Sequence, residues 1–148
     1  MNLEEMTFDF EQTVDVNASV EDTFKGLLHR FGKGNETPAG ESLNLDIEPF
    51  AGGRWYRDRG EGIQHLWGHV QVIKPPVLLE LAGPMFMSYP ALNHIEVKLT
   101  ENGDGTRVSL RHRAIGMISE EHRANMSKGW GFMLEGVKSD SEKAAATA

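Results

Sequence analysis

The sequence predicts an α+β domain in which one antiparallel sheet of about seven strands curves around a long carboxy-terminal helix. Three observations predict it. Residues 119–140 place Met126, Trp130, Met133, Leu134 and Val137 at i, i+4, i+7, i+8 and i+11, a single stripe of an α-helix. Val20, Phe24, Leu27, Leu28 and Phe31 repeat that spacing near the amino terminus. Elsewhere apolar residues recur at every second position, in segments joined by short Gly, Pro and Asn turns, which makes hairpins and hence an antiparallel sheet. One face of such a sheet must be covered, and the long helix is the cover. If the sheet curls round that helix, the gap between them is an apolar cavity, the usual setting of a small-molecule site.

Taken in order, residues 7–16 alternate through Phe8, Phe10, Val14 and Val16 and read as a half-buried strand. Ser19 is the N-cap of the first long helix, with Asp22 three residues on in the capping-box position. The connection GKGNETPAG, residues 32–40, is turn-rich and polar. Strands follow at 43–48, 54–59, 63–74 and 77–81. On the third of these, Leu66, Gly68, Val70 and Val72 read as the inner face, which would turn Trp67 outward with His65 and His69, but Ile73 shares Trp67's parity and leaves its direction open. Residues 82–90, AGPMFMSYP, are apolar without a period and contain two prolines, so they read as a loop. Two more strands carry Ile95, Val97 and Leu99, then Val108, Leu110, His112 and Ala114, with Arg107, Arg111 and Arg113 on the solvated face. Ser119 caps the final helix, and Glu120 and Glu121 suit the positive end of its dipole. Gly129, Gly131 and Gly136 lie inside it although each costs about 1 kcal/mol relative to alanine. Gly129 and Gly136 share a flank of the stripe, so that flank receives either close packing or a guest. The tail beyond Asp140, SEKAAATA, has no apolar anchors and is expected to fray.

At 148 residues the chain suits one domain with a sizeable core. A formal charge of −7 argues against a nucleic-acid partner, which would want a concentrated basic surface. With no cysteine there is no disulfide, thiolate metal site or cysteine nucleophile. Residues 1–7 are acidic and carry no apolar run, unlike a secretory signal, and no stretch approaches the ~20 apolar residues of a membrane span. The expectation is a cytoplasmic protein.

The ordered set Glu48-Pro49, Gly52-Gly53-Arg54-Trp55-Tyr56, Trp67-Gly68, Pro75-Pro76, Gly103-Asp104-Gly105-Thr106-Arg107-Val108 and Gly129-Trp130 resembles the START-like (SRPBCC) superfamily, in the branch named after the activator of the heat-shock protein 90 ATPase. The likeness runs over about residues 7–140. It implies the helix-grip fold, an antiparallel sheet of about seven strands gripping a carboxy-terminal helix with a cavity between. It implies no common reaction, because the superfamily includes lipid carriers, hormone receptors and polyketide aromatase/cyclases, and fold does not fix function. No catalytic residues carry over.

Candidate ligand contacts follow from the picture of a cavity beneath the helix. Met126, Trp130 and Met133 supply the helix side. Trp55 is a strand aromatic whose plain reading is packing. Met85, Phe86, Met87 and Tyr89 form a loop that either lines the mouth or plugs it, methionine being suited to adaptable surfaces. His112 shares the inward parity of Val108 and Leu110, as a hydrogen-bonded core residue or as a ligand or acid/base group. His65 and His69 are strand neighbours roughly 13 Å apart, the wrong spacing for a metal site. No nucleophile elbow or phosphate loop is present, and no metal or cofactor is expected. Phe132, on the back of the helix, is an exposed aromatic that would suit a homodimer contact.

Three functions are consistent with these features. The first is binding of a small hydrophobic or amphipathic molecule. The second is a cyclase- or hydrolase-like enzyme using His112, Tyr89 or a cavity carboxylate. The third, which the resemblance suggests, is a chaperone-cofactor interaction module. It ranks last, because the eukaryotic activators carry an additional amino-terminal domain that these residues do not include.

Overall fold

Where the sequence alternates with period two the chain is extended, and where the period is 3.6 it is helical. The computed structural model describes residues 2–86 and 88–147. In chain order these form α1 (Leu3–Met6), β1 (Thr7–Val16), α2 (Val20–Phe31), β2 (Leu45–Ile47), β3 (Arg54–Asp58), β4 (Gln64–Lys74), β5 (Leu78–Gly83), β6 (Ala91–Asn102), β7 (Gly105–Gly116) and α3 (Glu120–Thr147). The seven strands make one antiparallel sheet in the order β1-β7-β6-β5-β4-β3-β2. Their inner face holds Ile95, Val97, Leu99, Val108 and Leu110, all buried against the helices. This is the helix-grip arrangement.

The caps form as the residue types require. Ser19 Oγ accepts the Asp22 amide at 3.1 Å and Ser119 Oγ accepts that of His122 at 3.1 Å, each satisfying an otherwise unpaired donor at a helix start. On α3, Met126, Trp130, Leu134 and Val137 are buried and Met133 half-buried, so the stripe faces the sheet. Phe132 is 38% exposed on the opposite side.

Helix α3 is held against α2 by a polar clamp. Arg30 donates from Nε and Nη2 to the two carboxylate oxygens of Asp140 at 3.0 and 2.9 Å, a bidentate pair, and His29 Nδ1 lies 2.8 Å from Asp140 Oδ2. Gly136 makes room for this, since a Cβ there would lie 2.5 Å from Arg30 Nε. One turn further on, a Cβ at Gly26 would lie 2.9 Å from the Ser141 backbone nitrogen, so the two helices touch nearly backbone to backbone.

Two expectations are corrected. The chain does not fray after Asp140: α3 continues to Thr147, anchored by buried Ser141, whose hydroxyl donates to the Val137 carbonyl at 2.6 Å. Trp67 faces inward, 7% exposed, while Leu66 is 45% exposed. The reason is a bulge. Trp55 pairs with Gly68 and Tyr56 with Leu66, leaving Trp67 as an extra residue on β4 and reversing the face that the residues before it present.

Candidate functional site

Beneath α3, at the end of the sheet built from β3 and β4, lies a cavity of about 360 Å³ lined by Leu43, Trp55, Arg57, Trp67, Met85, Phe86, His122, Asn125, Met126, Gly129, Trp130 and Met133. The volume lies in the range of small-ligand pockets. Its walls are mainly apolar, and no aspartate or glutamate lines it.

Each wall is fixed by a traceable local cause. Trp55 is fully buried, and its indole N–H donates to the Phe31 carbonyl at 2.8 Å, at the end of α2 where carbonyls lack helical partners. Its ring stacks on Phe31 at 5.7 Å and meets Trp67 edge-on at 5.2 Å; Phe31 in turn stacks on Trp130 at 6.0 Å. Residues 84–86 are brought alongside by the Met85 amide, which donates to the Trp67 carbonyl at 2.7 Å. That approach needs glycine at Gly68 and Gly83, where a Cβ at Gly68 would stand 2.6 Å from the Ala82 carbonyl oxygen and one at Gly83 2.4 Å from Gly68 Cα. Phe86 then meets Trp67 at 5.7 Å and His122 at 5.3 Å. Gly129 opens the helix side: a Cβ there meets nothing within 4 Å. Of the two glycines on that flank, Gly136 receives Arg30 and Gly129 leaves space.

Behind Trp130 stands His112, fully buried. The Trp130 indole N–H can only donate, so His112 Nδ1 accepts it, at 3.0 Å, and the ring proton sits on Nε2, which donates to Asn93 Oδ1 at 2.7 Å. Asn93 Nδ2 donates on to the Gly83 and Pro84 carbonyls at 3.2 and 3.3 Å. Burial lowers the His112 pKa to about 4, so the ring is neutral at physiological pH.

Six of the expected contacts, Trp55, Met85, Phe86, Met126, Trp130 and Met133, come together in this lining. His112 does not: both its nitrogens are engaged inside the core, and it acts behind the wall. Tyr89 lies instead in a larger open depression of about 730 Å³ with Glu4, Glu5, Met117, Glu120 and Arg123, and its hydroxyl reaches His122 Nδ1 at 2.6 Å. Met87 lies outside the described residues. Sequence reasoning missed Leu43, Arg57, His122 and Asn125, left the direction of Trp67 open, and marked Gly129 only as a place for close packing or a guest. Of these, Gly129 carried a signal, an unexplained glycine on the apolar flank of a helix; Trp67 was hidden by the bulge. His65 and His69 are both exposed, and among the described residues no three His, Asp or Glu side chains are placed to hold a metal.

The comparisons with known proteins agree with this architecture. No curated protein matches the sequence. Among solved structures, an uncharacterised protein from Rhizobium leguminosarum superposes with a TM-score of 0.71 at 13% identity, over 93% of this chain and 95% of that one. The di-domain ARO/CYC StfQ of the steffimycin biosynthetic pathway gives 0.66 at 14% identity, over 98% of this chain and 52% of that one. Ara h 8.0201 gives 0.64 at 12% identity, over 93% and 99%. Identities this low establish a shared fold alone. No helix of the described residues is long and apolar enough to cross a membrane. The family model described as Activator of Hsp90 ATPase homolog 1-like protein matches residues 37–139, most of the sheet and of α3, and the chain belongs to that family.

Proposed function

We propose that the protein binds a small hydrophobic or amphipathic molecule in the cavity between sheet and final helix. The observation that carries this reading is the cavity of about 360 Å³ walled by Trp55, Trp67, Trp130, Met126 and Met133, with exposed Gly129 at its rim. Aromatic and thioether walls suit a flat apolar guest and adapt to its outline. The neutral probe N-phenyl-1-naphthylamine tests the reading: saturable binding is expected in the wild type and is lost in Gly129→Phe, whose ring fills the space. Equal binding by both proteins would contradict the placement.

The Tyr89–His122 pair favours a second reading, acid/base chemistry at the cavity mouth, because His122 lines the cavity and the tyrosine hydroxyl is within proton-transfer distance of its ring. The cyclase- or hydrolase-like alternative therefore centres on these two residues rather than on His112. If a turnover is found, Tyr89→Phe separates the readings, abolishing it without displacing a bound probe.

A further inference from the structure

The cavity holds one cationic side chain that the protein leaves without a counter-charge. Arg57, on β3, is half-buried in the lining, and its Nε donates to the Leu43 carbonyl at 2.9 Å. That bond fixes the plane of the guanidinium and leaves its two terminal nitrogens without an acceptor among the described residues. The contrast with the paired arginines is direct. Arg30 is paired with Asp140, Arg54 with Glu48, Arg107 with Asp15 and Arg111 with Asp9; Arg59, Arg113 and Arg123 also lack a carboxylate partner among the described residues, but Arg57 alone of these lines the cavity. No carboxylate approaches Arg57 within ion-pair distance among the described residues, and none lines its cavity. A cation held in such a wall without a counter-charge is unfavourable. An unpaired guanidinium in a mainly apolar pocket is complementary to a ligand that brings acceptors.

We propose, resting on the cavity reading above, that the ligand is an aromatic carboxylate: a flat apolar body against the tryptophans, and an anionic head received by the free fork of Arg57. A planar guanidinium matches a carboxylate with two parallel hydrogen bonds, which an isolated ammonium cannot do. The chain as a whole carries −7, which disfavours anions at long range. At physiological salt that field is screened beyond about 8 Å, so the local cation in a pocket free of acidic residues decides selectivity.

Isothermal titration calorimetry with 2-naphthoate and its near-isosteric neutral relative 2-naphthamide tests this at neutral pH. Wild type is expected to favour the carboxylate by about tenfold or more. Arg57→Gln removes the preference while still binding the amide, and Arg57→Lys, which keeps the charge without the fork, retains part of it. The lysine variant and the wild-type comparison stand even if the glutamine variant folds poorly. Equal wild-type affinity for the two probes overturns this inference and leaves the cavity reading intact. Binding of neither probe overturns both.

Discussion

The indole Nε1 of Trp130 donates to Nδ1 of His112 across 3.0 Å, and this bond sets the back wall of the cavity. It requires the neutral imidazole, because a protonated ring has no lone pair at Nδ1 to accept it.

Stability should therefore depend on pH through His112. Its folded pKa is lowered to about 4, below the unfolded value of 6.5. The folded state thus binds fewer protons than the unfolded chain between those values. The His112 contribution is fully present above pH 6.5 and is lost as pH falls from there towards 4, amounting to roughly 2 kcal/mol by pH 5. Urea unfolding at pH 7 and pH 5 measures the loss. Other groups that titrate over that interval are common to both proteins, so the difference should shrink in His112→Asn. An unchanged difference in the variant would contradict the assignment.

The Arg30–Asp140 clamp should hold α3 in place. Both side chains are close to nine-tenths buried, at 10% and 11% exposure, so removing Asp140 leaves Arg30 only the longer contact with Glu36 at 3.5 Å. Asp140→Ala is expected to cost about 3 kcal/mol in urea unfolding, and the Arg30→Met, Asp140→Ala double variant less than the sum of the single ones. Strict additivity would show that the pair is not coupled.

At Gly129 the expectation has the opposite sign. A Cβ there meets nothing within 4 Å, so Gly129→Ala should stabilise the protein by about 1 kcal/mol, read as a rise of a few degrees in Tm. A loss of stability would mean that the space is filled in solution by packing that the fold does not show.

How much of this was legible in the sequence depends on the element. The stripe Met126, Trp130, Met133, Leu134 and Val137 follows from helical periodicity alone, and all five residues face the sheet. The inward parity of Val108, Leu110 and His112 was equally readable, because β7 pairs without a break over its whole length. Trp67 was not readable: its direction is set by the offset between β3 and β4, a property of the pairing and not of either strand's own sequence. Gly129 and Gly136 look alike in sequence, and only the position of Arg30 shows that the flank they share is occupied at Gly136 and open at Gly129. Arg57 sits on a short strand edge where an arginine ordinarily reads as solvated. Its role depends on which carboxylates fail to reach it, and periodicity carries no information about that.

The central claim is that the guest enters beneath α3 and not the larger depression beside it. Methionines mark both places: Met85, Met126 and Met133 line the cavity, and Met117 lines the depression shared by Glu4, Glu5 and Arg123. Carbon-13 labelling of the methionine methyl groups, followed by NMR titration with 2-naphthoate, reads them together. The account predicts saturable shifts at Met85, Met126 and Met133 with Met117 unmoved. Shifts confined to Met117, or none at any of the four, would contradict it.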